Sequence, residues 1–448
     1  IGDNSTATSF SGNLQIANGS NVNFLPTSSM TYTGAIAGSG SVNIQGTGSQ
    51  RLIFNGNTAS YSGTTNVNSA VFQVGDGTAG SFQDHAGTVN IDANSALELN
   101  PGTSGTITTL INSEGAIRNI APQHITFNNI SAHTGPTNVA SNGRITFNVA
   151  SGNTLALSGN ITGDGRIEKT GSGQLNLEGT NTFTGGLRIA DGNVQLGSSP
   201  LPTIGTTLQL GGSAVLQVSS ATPDYSGIMT FDSTSSYLRI SVPAGATYTM
   251  ASPIISQTGG ILSKEGDGKL ILNANFDFGG GATIYGGDLV IGTGGTSGRL
   301  NLSNSAFTFH NTGARYIYNR SADVTKTHPF RVANSSASGS IDNIGTGTLT
   351  LTGAIDSGIT VPTNPTNGAI VSSSSNTSNS AATFGTLAIN GTLTEGETLT
   401  AAYTITDSDG YTANSEVVKW YHDNGDGTQT QIATGNTYVL KTSDVGKN

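Results

Sequence analysis

Two stretches of this chain, ninety-five residues apart, carry the same alternation of apolar residues and glycines. The first runs from Gly163 to Gly197 and the second from Gly260 to Gly292. Ile167, Lys169, Gly171, Gly173, Leu175 and Leu177 of the first match Leu262, Lys264, Gly266, Gly268, Leu270 and Leu272 of the second. The match resumes at Phe183, Gly185, Ile189, Gly192, Val194 and Gly197, against Phe278, Gly280, Ile284, Gly287, Leu289 and Gly292. Apolar residues at period two describe strands with one buried face. A unit this short cannot cover its own apolar stripe, so its copies must stack on neighbours. What repeats is scaffold, with no reactive constellation in it.

Composition fits that reading. Glycine supplies 63 of 448 residues and charged residues are 10%, against about 7% and about 25% in an average domain. Few charges with much Gly and Ser could mean disorder, but disordered chains lack sustained alternation of Val, Ile, Leu and Phe. The net charge of −10, without clustered Lys and Arg, gives no expectation of a nucleic-acid partner. There are no cysteines, and no apolar run reaches the length of a membrane-spanning segment. The chain opens Ile1-Gly2-Asp3, without Met or a signal peptide, and is expected to be an internal piece of a longer precursor.

A weaker copy, Gly38–Gly75, keeps the glycines with Leu52, Tyr61, Val67 and Val74, and Ser340–Gly353 keeps the first half of the pattern. Short alternating segments fill the intervals, among them Ile145–Val149, Thr154–Gly159 and Thr207–Gly212. Strands of four to six residues under a long period select a parallel β-solenoid over a sandwich or a barrel. Lys169 shares the strand parity of Ile167, while its counterpart in the weaker copy is Ile44. An aliphatic stem packed at a corner, with the amine reaching out to water, is the expected arrangement. The solenoid is expected over residues 1–355, followed by a Pro/Ser/Asn-rich linker or cap at 356–383. Residues 384–448 alternate as antiparallel strands with tight turns, and Trp420 falls where a sandwich core would hold it.

The form G-x-G-x-[IL]-x-K-x-G-x-G-x-L-x-L-x-G-x-N-x-[FY]-x-G resembles the autotransporter-associated (passenger-associated) β-strand repeat of large bacterial surface and secreted proteins. Gly163–Gly197 carries it almost position for position, and Gly260–Gly292 carries it with Asn275 and Phe278 slightly displaced. The resemblance implies a right-handed parallel β-helix exported to the cell surface. The C-terminal segment is similar to the Ig-like repeats of giant bacterial adhesins, through Gly391–Ala401, Asp407–Gly410, Trp420 and Tyr438–Gly446. Such domains continue into two further core strands, so the remaining strands are expected beyond Asn448.

Candidate chemistry is sparse. Four acidic-turn residues, Asp407, Asp409, Asp423 and Asp426, could supply oxygen ligands to calcium, although an ordinary Asp-Gly hairpin turn is preferred. The six histidines show no metal-ligand spacing and read as surface or loop residues. His310–Arg331 is the most atypical stretch of the rod. There Tyr316 and Tyr318 share one strand face beside Arg315 and Arg320, an arrangement that could stack on sugar rings and pair with an acidic polysaccharide. The plainer reading, tyrosines at the core margin, is preferred.

These features describe a non-enzymatic fragment of a secreted or cell-surface bacterial adhesin. Its expected partners are extracellular polysaccharide or a host or neighbouring cell surface, with attachment between cells, to surfaces or to biofilm matrix. Two other readings stay open: a filament or surface-layer subunit acting by self-association, and a β-helical polysaccharide-degrading enzyme.

Overall fold

The computed structural model describes residues 1, 9–58, 60–78, 87–197, 207–212, 214–217, 228–231, 237–251, 260–302, 305–362, 368–372, 376–377, 383–406, 418–424 and 428–445. Within them the chain is almost wholly strand, and a 3₁₀ turn at Thr442–Asp444 is the one helical element. Up to Thr377 every strand pairing is parallel. The expected parallel β-solenoid is therefore the architecture.

Each coil contributes to three faces, visited in a fixed order. Face three is an unbroken ladder of seventeen strands among the described residues, from Asn21–Phe24 to Asn376–Thr377. Face one begins with eight strands, Ser9–Phe10 to Ile161–Thr162, and resumes with six, Thr247–Met250 to Ile359–Thr360. Face two holds shorter ladders, the longest being seven strands from Gly105–Ile107 to Ile228–Phe231. Three short strands of the 356–383 stretch pair with the strands below them, so its described part extends the solenoid beyond residue 355.

Inward side chains stack in columns because parallel pairing in register places like on like. Leu175 lies between Leu155 and Val194, and Phe147 sits over Phe127 with ring centroids 5.8 Å apart. The columns merge into one apolar core from Ile16 to Ile359. At about 1.5–3 kcal/mol for each large apolar side chain buried, the core offsets the ordering of many short strands.

Register also shows what the ninety-five-residue repeat measures. The column of Leu175 passes through Val194, Leu216 and Ile240 to Lys264 in four coils. Yet the sequence counterpart of Lys264 is Lys169, one face earlier on the chain. The copies are thus displaced by four coils and one face. Their motif specifies a corner, and it works at either of two corners.

That corner corrects the expectation for Lys169. Its side chain is 0% exposed, as is that of Lys264. The stem stacks between Phe147 and Ile189, and the ammonium turns into the corner instead of out to water. Nζ of Lys169 donates to the carbonyls of Thr170 (2.8 Å), Gly171 and Asp191 (3.3 Å). Nζ of Lys264 donates to those of Glu265 (3.0 Å), Gly266 (2.5 Å) and Gly286 (2.9 Å). Buried carbonyls need donors, and the three-residue corners Gly171–Gly173 and Gly266–Gly268 leave these to the lysine. Gly171 has φ +73, and a Cβ there would lie 2.4 Å from the Val149 carbonyl oxygen. In the weaker copy the corner after Ile44 is five residues long and organises itself. There Gln50 Oε1 accepts the Thr47 N–H, while the N–H groups of Gly46 and Gly48 bond to Asn68 and Ser69. With the corner satisfied, the inward position can be aliphatic.

Beyond the solenoid, Thr383–Asn390 pairs antiparallel with Thr398–Thr406, which pairs with Thr437–Val439, and Lys419–Asp423 pairs with Gln429–Thr434. A small core of Leu399, Trp420 and Tyr438 joins the two sheets, with the rings of Trp420 and Tyr438 5.8 Å apart. Trp420 Nε1 donates to the Gly435 carbonyl at 2.8 Å. Asp444 accepts from Tyr438 Oη (2.7 Å) and from the Lys441 N–H (2.7 Å), which closes the turn after the last strand. The antiparallel sheets carry only part of an Ig-like sandwich.

Candidate functional site

The outward side chains of the solenoid are mostly bonded to one another along the axis. On face three, Asn43, Asn66, Asn90 and Asn112 each donate from Nδ2 to Oδ1 of the asparagine one coil earlier, beginning with Asn23, at 2.9–3.0 Å. Such an amide ladder uses one N–H and one lone pair of each side chain. The capacity left over faces solvent as a flat polar strip.

Ion pairs follow a second rule. In every arginine–carboxylate pair of the solenoid among the described residues, the carboxylate lies deeper than the arginine. Glu98 takes Arg51 at 2.7 Å and Arg118 at 2.9 Å on face one. Glu168 takes Arg144 at 2.9 Å and Arg188 at 2.5 Å on face two, where its side chain is 7% exposed against 36% and 27% for the arginines. His124 Nδ1 lies 2.6 Å from Nη2 of Arg144. Burial, with the nearby arginine charge, holds that imidazole below its ordinary pKa. Arg166 is the register partner of Arg144 and donates to Gln209 Oε1. Although the chain is acidic overall, this surface presents cations. The arginines were not singled out in the sequence, although 144, 166 and 188 are spaced by twenty-two residues, the length of a coil.

The predicted segment divides differently. Ala314–Tyr318 is a strand of face one, as the shared parity of its tyrosines suggested, but Tyr316 and Tyr318 point inward and are fully buried. Tyr316 packs against Phe307 and Phe330 at 5.0 and 5.4 Å. A buried ring offers no platform to a sugar, so the aromatic half of the proposed site is absent from the surface. Arg315 is half exposed and grips Asp288 through Nε and Nη2, both at 2.7 Å. Arg320 donates from Nη2 to the Thr296 carbonyl at 2.5 Å and reaches over the Tyr318 ring.

Of the acidic-turn candidates, Asp407, Asp409 and Asp426 lie outside the described residues, and Asp423 is exposed at a strand end opposite Gln429. The expectation of surface histidines fails at two positions. His133 and His328 are core residues, with pKa values lowered by burial to about 4 and about 3. His133 Nε2 lies 2.9 Å from Thr137 Oγ1, and His328 stacks against Phe330 at 4.9 Å. His85 lies outside the described residues. Among the described residues no three His, Asp or Glu side chains form a metal-binding group, and no helix is long and apolar enough to cross a membrane.

The corner motif places this chain beside known proteins. Residues 45–74, 167–196 and 262–291 match the passenger-associated-transport-repeat. Those stretches hold the strand pairs flanking the three corners described above. The chain is also similar to the adhesin BmaC autotransporter of Brucella suis biovar 1 (strain 1330), at 28% identity over 162 residues, 34% of this chain. The similar stretch spans 4% of that protein's length. This chain is thus a β-solenoid bearing passenger-type repeats, similar over a third of its length to a stretch of a much larger autotransporter adhesin.

Proposed function

We propose that this chain is a non-enzymatic stretch of a large exported bacterial adhesin, a stiff solenoid stalk that attaches a cell to surfaces, to neighbouring cells or to extracellular polysaccharide. The observation that carries the reading is the role of the repeat. Its lysines and glycines are consumed in building corners, which leaves function to the outward faces. Those faces are long, polar and laterally bonded, as suits many weak contacts along a rod. The resemblance to an autotransporter adhesin supports the same reading and an extracellular setting. In the His310–Arg331 segment, contact with a ligand falls to Arg315 and Arg320, the members that reach the surface.

Beads coated with the purified chain test the proposal. They are expected to attach to cells or immobilised matrix polysaccharide, and beads coated with an unrelated β-protein should not. Beads that fail to attach, while the soluble protein forms concentration-dependent fibres or releases reducing ends from a polysaccharide panel, would replace adhesion with self-association or catalysis.

A further inference from the structure

We propose that face two, around Arg144, Arg166 and Arg188, binds an acidic polysaccharide laid along the solenoid axis, with uronate carboxylates as the groups recognised. The inference rests on the adhesive reading and names its ligand class and site. Three guanidinium groups surround a single carboxylate, Glu168, which lies beneath them. The patch therefore carries about two net positive charges on a protein whose total is −10.

Their spacing is regular. Arg144 and Arg166 are register partners on adjacent coils, and Arg188 lies one coil further, opposite Glu168. Neighbouring strands are about 4.8 Å apart, comparable to the length of one sugar ring in an extended glycan. A polyuronate lying along the axis would offer carboxylates at a matching interval. Arginine suits that partner because its planar fork binds carboxylates through two parallel hydrogen bonds.

The cations are also held in place. Glu168 orients Arg144 from one coil below and Arg188 from one coil above, and His124 braces the second nitrogen of Arg144. Side chains fixed before binding lose less entropy on binding. On the same face, Nδ2 of Asn148 donates to Oδ1 of Asn128 at 3.0 Å, and both are exposed, leaving donors and acceptors for sugar hydroxyls. The outward positions of these strands, described from His124 to Gln209, carry no aromatic side chain. Single-stranded nucleic acids are gripped largely by stacking bases on such rings, so a polyanion without bases is the better fit.

The test is binding of oligogalacturonates of graded length to the purified chain, measured by calorimetry against neutral dextran. Wild-type protein should bind the acidic oligomers, more tightly with length and more weakly between about 0.02 M and about 0.3 M salt, as exposed charges are screened. Removing Arg144 or Arg188 alone would leave buried Glu168 short of a partner and endanger the fold. The informative variants are therefore Arg166→Gln and the compensated triple Arg144→Gln/Glu168→Gln/Arg188→Gln. Arg166→Gln should lose several-fold in affinity and the triple about tenfold or more, with circular dichroism and melting near wild type. Arg315→Gln, on another face, should bind as wild type. Absence of oligogalacturonate binding at low salt, or a folded triple variant that binds as tightly as wild type, overturns the inference. Bead attachment to a surface without acidic glycan is followed in parallel. Failure of wild type there counts against the adhesive reading, and loss of oligogalacturonate binding alone counts against the ligand.

Discussion

Raising the pH from about 7 to about 10 should stabilise this solenoid, and the corner lysines are the reason. Lys169, Lys264 and Lys326 are buried without a carboxylate partner, and burial lowers the pKa of each from 10.5 to about 8. In the unfolded chain each returns to its ordinary value, so between pH 8 and 10.5 the unfolded state binds more protons than the folded one. Stability therefore rises with pH through that window. The penalty of holding the charge inside is fully present below pH 8 and is relieved above it. One proton's difference changes stability by about 1.4 kcal/mol per pH unit, and across the window each lysine contributes at most about 3 kcal/mol. Above pH 10 the trend reverses, because burial raises the pKa values of Tyr61, Tyr316 and Tyr318, and their ionisation then favours unfolding. Thermal melts followed by circular dichroism at pH 7, 8, 9 and 10 measure the effect. The control is Lys169→Met/Lys264→Met/Lys326→Met, which keeps the stems and removes the titration. Wild type should gain melting temperature from pH 8 to 10, and the triple variant should lose that gain. Equal pH dependence in the two proteins would refute the reasoning, since the slope would then belong to other groups.

Acid should act through a different pair. His133 and His328 are buried neutral with pKa values near 4 and near 3, so stability present above pH 6.5 is lost as pH falls from 6.5 towards 4, by about 1.4 kcal/mol per unit for each histidine; His133→Gln/His328→Gln should flatten that slope in acid melts. Gly171→Ala should destabilise by about 2 kcal/mol or more, through its left-handed backbone and a close approach to the Val149 carbonyl. Gly152→Ala, with φ +77 but open space around it, should cost about 1 kcal/mol, and comparative melts separate the two. Tyr316→Phe removes a buried hydroxyl that makes no hydrogen bond among the described residues. It should leave stability equal or higher by about 1 kcal/mol and leave bead attachment unchanged, whereas lost attachment would restore the tyrosine to the ligand site.

Strand alternation and corner glycines made the solenoid legible in the sequence, because both are local: a residue's parity and backbone freedom need no knowledge of its neighbours in space. Depth and face are not local. The coil length varies from 19 residues between Gln174 and Asn193 to 27 between Asp288 and Arg315, so no single period tells which residues meet across coils. The Arg144, Arg166 and Arg188 cluster hides for that reason, although once one coil is known to span about twenty-two residues it can be read directly. The tyrosines are a different case, since parity alone could have placed them. Arg315 alternates with Tyr316, and a strand with one buried face must send the arginine outward; the tyrosines then have nowhere to go but the core. Lys169 shows the limit of the same rule. Its parity pointed inward, and water was assumed to claim the amine. The corner carbonyls claim it instead, because a three-residue turn has too few donors of its own. In a solenoid, then, a buried cation opposite backbone oxygens reads as masonry, and a cation standing over a buried carboxylate, as at Glu168, is where recognition should be sought.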